Sequence, residues 1–274
     1  MRIARLEQYG LLHVTGEDAR AFLHAQLTND IEHLAPATAR YAGWCTAKGR
    51  LLATFLVVPF PGGFLLQLSR DLVPAVAKRL SMFILRSKVK ISDATGEWLQ
   101  YGLWEVAPGG NLSVSQANDG IEVGIDEKRT LLITKTPRNA DTAAADWALD
   151  EIRAGRPLVV QATQDQFVPQ MVNLELAGGV DFRKGCYPGQ EIVARAQYRG
   201  AVKRRMVRLR GAALQPGQDL YSDDAPGQAS GTVVNAAGDE ALAVLQVAAL
   251  DAKTPVRVGP QAAALEMLPL TYSQ

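Results

Sequence analysis

The stretch DFRKGCYPGQEIVARAQYRGAVKRRMVRLR, residues 181–210, contains the point where the chain changes character. It opens as a loop rich in Gly, Pro and charge. Tyr187-Pro188-Gly189-Gln190 fits a type II turn, because Pro fixes φ at the second position and Gly accepts positive φ at the third. A helix is predicted from Gln190 to about Tyr198, with Glu191 in its first turn, where the dipole favours an acid. Past Gly200 the pattern becomes short alternating or apolar runs: VKRRMVRLRG, GTVVN, ALAVLQV and TPVRVG, separated by PGQD, APGQASG and AAGDE. That spacing predicts an all-β tail of about 70 residues, a small barrel or sandwich. PGQ recurs at 188–190, 216–218 and 226–228 without a constant period, so it marks shared turn chemistry and no internal repeat.

Toward the N-terminus the signals mix. HVTGEDARAFLHAQLTND predicts a helix with Thr15 and Asp18 at capping-box spacing. Ala19, Phe22, Leu23 and Leu27 fall on one face, and Asn29 and Asp30 end it. LLATFLVV (51–58) and FLLQLS (64–69) read as a hairpin around a Pro-Gly-Gly turn. Ser69 is placed to cap a second helix whose core face is Leu72, Val76, Leu80 and Phe83 with Ile84, with Pro74 in the tolerated first turn. EWLQYGLWEV, GIEVGI and TLLITK are strand candidates. ADTAAADWALDEIRAGRP predicts a third helix, capped by Asp141 or Thr142, with Trp147 and Ile152 inward and Gly155 as its stop. The class is therefore α+β over residues 1–198, followed by the β unit over 199–274.

Composition narrows the function. Lys and Arg total 29 against 28 Asp and Glu in 274 residues, which argues against a whole surface built for nucleic acid or anionic lipid. Two cysteines make no disulfide framework. MRIARLEQYG lacks an apolar signal core, and LLATFLVVPF at 51–60 is too short to span a bilayer, so a reducing cytoplasm is expected. There is no GxxxxGK[ST], no GxGxxG after a strand, no G-x-S-x-G, and no metal-ligand spacing around His13, His24 and His33. No metal site is expected.

Function then rests on the cysteine loop and the basic run after it. Lys184, Arg183 and Arg195 beside Cys186, with a helix N-terminus following, would favour a thiolate that reacts with oxidants, electrophilic carbon or a soft metal. The competing reading is a half-buried cysteine acting as a small hydrophobe. For Cys45, in ARYAGWCTAKGRLL, packing is the stronger reading. Between Glu191 and Asp219 there is no acid. The plain reading of Arg204, Arg208 and Arg210 is the solvated face of an edge strand. The sharper one is an anion or RNA site, for which Arg195 and Arg199 are the better ligand contacts.

KGCYPGQE at 184–191 resembles the K-G-C-Y-x-G-Q-E signature of the YgfZ-type folate-binding proteins. FLHAQLTNDI (22–31), CTAKGRLL (45–52), WALDEIRAGRP (147–157) and FVPQMVNLELAGGVDFRKGCYPGQEIVARAQYRGAVKRR (167–205) resemble further family blocks in family order. The family is similar in fold to the T-protein of the glycine cleavage system, a tetrahydrofolate-dependent aminomethyltransferase. The resemblance implies two interleaved α+β subdomains and a C-terminal β-barrel around a central channel that holds tetrahydrofolate or a derivative. It places Asn173 and Glu175, in NLE, where T-proteins bind the pterin. It makes Cys186 the reactive thiol and Lys184 its activator, with Gly185, Tyr187, Gly189, Gln190 and Glu191 shaping the motif. It implies assistance to iron–sulfur enzymes or their assembly proteins, radical tRNA-modifying enzymes among them. Stable nucleic-acid binding and membrane association are not expected. A folate-dependent one-carbon transferase is the alternative, although no residue here matches a T-protein catalytic Asp.

Overall fold

The computed structural model describes residues 1–105, 111–198, 200, 202–223, 225, 227–259 and 261–272. The chain begins with β1 (Ile3–Arg5), β2 (Tyr9–Thr15), α1 (Ala19–Gln26), β3 (Arg40–Cys45) and β4 (Leu51–Phe60). It continues with β5 (Gly63–Ser69), α2 (Val73–Ser81) and β6 (Lys90–Asp93). Next come β7 (Leu99–Trp104), β8 (Val114–Ala117), β9 (Gly120–Gly124), β10 (Arg129–Thr134), α3 (Ala144–Arg153) and α4 (Gln190–Tyr198). The last part holds β11 (Arg204–Arg210), β12 (Asp219–Ser222), β13 (Ala229–Ala237), β14 (Glu240–Gln246), α5 (Val247–Asp251), β15 (Val256–Arg257) and β16 (Glu266–Leu268).

Three antiparallel sheets organise these elements, ordered β3-β4-β5-β2-β6, β1-β7-β10-β9-β8 and β15-β12-β13-β14-β11-β16. The first strand of the chain joins the second sheet, pairing Ile3 with Leu103, so the two N-terminal sheets are interleaved in sequence. The first sheet is covered on both faces, which explains the unbroken apolar run of β4. Phe55 and Val57 enter a core with α1, α2, Met206, Leu242 and Val244. Leu56 and Val58 enter another with Leu131, Ile133 and Trp147. The third sheet curls: Leu265, just before edge strand β16, donates its N–H to Val256 on the opposite edge strand β15 at 2.8 Å. The tail is thus a partly closed barrel.

The predicted hairpin, α3 core face, Gly155 stop and α4 are all present. The caps are not where spacing placed them. Thr15 ends β2, and the Asp18 carboxylate accepts the Lys88 N–H at 2.7 Å instead of capping α1. Ser69 donates to Asp71 at 2.6 Å. Asp141 accepts the Ile3 N–H at 2.8 Å, tying β1 to the start of α3, which begins only at Ala144. For Asp18 and Asp141 tertiary pairing replaces the local cap; for Ser69 a bond two residues along the chain does. α2 stops at Ser81, so Phe83 leaves the predicted core face and is exposed.

Candidate functional site

The cysteine loop is fastened by the residues that follow α1. Thr28 donates its hydroxyl to Gly179 O at 2.6 Å and accepts the Gly43 N–H at 2.7 Å. Asn29 donates to Tyr41 O and Gly178 O, both at 2.7 Å. The Asp181 N–H then bonds Thr28 O at 3.0 Å. The helix therefore ends at Gln26, and Leu27-Thr28-Asn29-Asp30 is a clasp, not a terminal turn.

Lys184 is buried, and its ammonium donates to the carbonyls of His24 and of Leu27, the latter at 2.8 Å. A cation on the last carbonyls of α1 is favoured by the helix dipole. Its Nζ also lies 4.9 Å from the centre of the Tyr187 ring. Burial pulls its pKa down to about 8, partly offset by Asp30, Asp181 and Cys186. Gly185 passes His24, whose Nε2 would lie 3.5 Å from a Cβ there. Nδ1 of His24 lies 3.1 Å from both the Glu32 amide nitrogen and Asp30 Oδ1. Burial, and then Lys184, hold that imidazole below its ordinary pKa.

Cys186 is exposed and free. The type II turn behind it forms as expected: Gly189 has φ +80° and Gln190 N bonds Tyr187 O at 3.2 Å. A Cβ on Gly189 would sit 2.4 Å from Thr46 O and 2.6 Å from the Cα of Gly49, itself at φ +71°. The two glycine turns, CTAKG and CYPGQ, therefore close on each other. Cys45 is 2% exposed and its thiol is pushed up to about 12 by burial, a packing cysteine. Burial also raises the Tyr187 phenol, with Cys45 adding to it.

A second cluster forms around Asn173 and Glu175. Asn173 adopts φ +53° at the end of a short 3-10 turn, Pro169–Val172, and its side chain donates to Met206 O at 2.9 Å. Arg205 organises the loop: its Nη1 bonds Gln170 O at 2.8 Å, Asn173 Oδ1 at 3.3 Å and Glu175 Oε1. The other Glu175 oxygen, Oε2, is buried with no hydrogen-bond partner among the described residues. Tyr272 closes this region, donating to Gly155 O at 2.9 Å and bonding Asn173. Burial pushes its phenol up to about 12. A cavity of about 40 Å³ lies next to the cluster, reaching Leu174 and Ala177 and lined by Tyr9, Tyr41, Glu151 and Arg156.

The expected residues thus form two places. Lys184, Gly185, Cys186, Tyr187, Gly189 and Gln190 form the thiol loop, and Glu191 starts the exposed face of α4. Asn173 and Glu175 form the buried cluster. Arg195 is exposed in an open groove with Glu191, Ala194 and Tyr198, which shares no residue with that cluster. Arg199 lies outside the described residues. The basic run is not the face of an edge strand, because β11 pairs with β14 on one side and β16 on the other. Its charge is answered from elsewhere: Arg208 approaches buried Glu240 at 3.4 Å, and Arg210 meets Glu266 at 3.0 Å. Sequence reading missed Arg205, Thr28, Asn29 and Tyr272 as site-building residues. Only pairing across the fold identifies them, although LTND and CTAKG were visible as blocks. Among the described residues no group of three His, Cys, Asp or Glu could hold a metal ion, and no helix is long and apolar enough to cross a membrane.

Comparison with known proteins places this architecture. The fold is that of the glycine cleavage T-protein: aminomethyltransferase T from Bartonella henselae superposes with a TM-score of 0.70 over 96% of this chain and 83% of that one, at 16% identity. No family model matches. Sequence relatives are closer. The tRNA-modifying protein YgfZ of Klebsiella pneumoniae is 30% identical over 100% of this chain and 93% of its own length. That of Edwardsiella ictaluri is 31% identical over 78% and 72% respectively. This chain belongs to the YgfZ family.

Proposed function

We propose that this protein binds tetrahydrofolate, or a derivative, beside Glu175 and supports the assembly, maintenance or repair of iron–sulfur enzymes through Cys186. The observation that carries the reading is Oε2 of Glu175. A buried acceptor without a donor is costly, and such groups are rarely left unmet. A pterin presents ring N–H and amino donors that a carboxylate accepts. Asn173 and Glu175 would hold that edge, and Arg195 and Arg199 are read as contacts for the ligand's anionic groups. The donor set fits the group. The space requires opening, since a cavity of about 40 Å³ is far below the ~300 Å³ or more of ordinary ligand pockets.

Residues 1–198 are read as the folate-binding part and 199–274 as the barrel that closes it. The exposed thiol of Cys186 is the group a client would meet. Gly185, Tyr187, Gly189 and Gln190 fix its position, and Lys184 ties it to α1. The name carried by the relatives is consistent with clients that modify tRNA. The test is complementation of a deletion strain with wild type and Cys186→Ala, reading iron–sulfur enzyme activity. Loss with Cys186→Ala supports the thiol's role; full rescue refutes it.

A further inference from the structure

The turn after α2 is the feature that neither the fold nor the candidate site uses. Met82, Phe83 and Leu85 are 65%, 43% and 88% exposed there. Contiguous apolar side chains in water at that level mark an interaction surface more often than a bare one. The turn is not slack. Met82, Phe83 and Ile84 donate their N–H groups to Arg79 O, Leu80 O and Ser81 O, and Ile84 packs on the core. The apolar tips are presented on a wound backbone.

The charge within the segment itself has one sign. Lys78, Arg79, Arg86, Lys88 and Lys90 lie within KRLSMFILRSKVK, and no acid occurs between Asp71 and Asp93. Lys88 pairs with Glu17 at 2.7 Å. Among the described residues no carboxylate pairs with Lys78, Arg79, Arg86 or Lys90. These four cations, all exposed, are uncompensated in a chain whose net charge is only +1.

Interior packing links the turn to the thiol loop. Phe83 packs edge-on against Trp44, with ring centres 6.3 Å apart. Trp44 precedes Cys45 and donates to Gln26 on α1 at 3.4 Å. The last carbonyls of the same helix hold Lys184, two residues before Cys186.

We propose that residues 82–86 and the cations around them are a docking surface for another protein, one presenting an acidic rim around an apolar recess that takes Leu85. A protein, not a lipid surface, is favoured because the apolar tips stand on a hydrogen-bonded turn braced against Trp44, which suits a shaped recess; the expectation that the same partner reaches the thiol rests on Cys186 being the group a client meets. Electrostatic attraction guides the encounter, and the apolar tips supply the buried contact.

The test places a photo-crosslinking phenylalanine analogue at Leu85, and separately at Arg183 beside the thiol, in cells that express the full chain. Crosslinked peptides are then sequenced. The expected result is one protein captured from both positions, through an Asp/Glu-rich peptide at Leu85. Capture should fall at least tenfold in the triple variant Arg79→Glu/Arg86→Glu/Lys90→Glu, which circular dichroism should show folded. Four results would overturn the proposal: no crosslink, capture of a second copy of this chain only, capture insensitive to charge reversal, or co-sedimentation with phosphatidylglycerol vesicles in place of protein capture. Cys186→Ala separates the two ideas. Charge-sensitive capture with full iron–sulfur activity in Cys186→Ala leaves the surface standing and removes the thiol's role; lost activity without capture does the reverse.

Discussion

Replacing Gly189 with alanine attacks the geometry that presents Cys186. Gly189 sits at φ +80°, so a side chain there costs ~1–2 kcal/mol in backbone strain alone. The added Cβ would also lie 2.4 Å from Thr46 O and 2.6 Å from Gly49 N, and both are backbone atoms that cannot rotate away. The two turns must separate by several tenths of an ångström, loosening the contact between Gly49 and Ile192. Strain and lost contact together give about 2–4 kcal/mol. At roughly 2–4 °C per kcal/mol for a chain of this size, Tm falls by about 5–15 °C. Gly62→Ala is the internal control, because Gly62 has φ +78° but nothing within 4 Å of its Cβ, so it bears only the backbone cost. Calorimetry of both variants isolates the turn-to-turn contact, and the rate of Cys186 modification by a disulfide reagent reports the loop. If Gly189→Ala and Gly62→Ala lose the same stability and Cys186 reacts at the wild-type rate, the reasoning is wrong.

Three other outcomes are expected. In the native protein a disulfide reagent titrates Cys186 alone, because Cys45 is buried with a thiol pushed up to about 12; Cys45 should react only after unfolding, and rapid labelling of both thiols would contradict this. Arg205→Met strands the buried Glu175 carboxylate and should cost about 3–5 kcal/mol in urea denaturation, while Arg205→Met/Glu175→Gln recovers a large part; strictly additive costs would refute the coupling. Burial lowers the folded Lys184 pKa to about 8 from 10.5, so the unfolded chain binds more protons between those values and this group's contribution to stability rises with pH there. Lys184→Met should lack that rise, and a constant stability gap to wild type across pH 8–10.5 would show the ammonium is not buried as described.

What the sequence made legible was local or carried by long blocks. The Pro188-Gly189 turn and α4 follow from chemistry confined to a few residues, and the partition into α+β followed by β follows from a change of period near Gly200. Caps failed because Asp18 and Asp141 had the right spacing but better partners far along the chain, while Ser69 turned to Asp71 two residues on. The charge of β11 was misjudged for the same reason: Glu175, Glu240 and Glu266, which answer Arg205, Arg208 and Arg210, lie 30 to 56 residues away along the chain, and only the fold brings them together. Phe83 continued a helical stripe on paper. Its helix ended two residues earlier, so an apparent core residue became a surface one.

The central claim is tested most directly by titrating tetrahydrofolate into wild type, Glu175→Gln and Cys186→Ala by calorimetry under anaerobic conditions. The account predicts binding to wild type, unchanged affinity for Cys186→Ala, and at least a tenfold loss for Glu175→Gln. No binding to wild type, or equal affinity for Glu175→Gln, would contradict it.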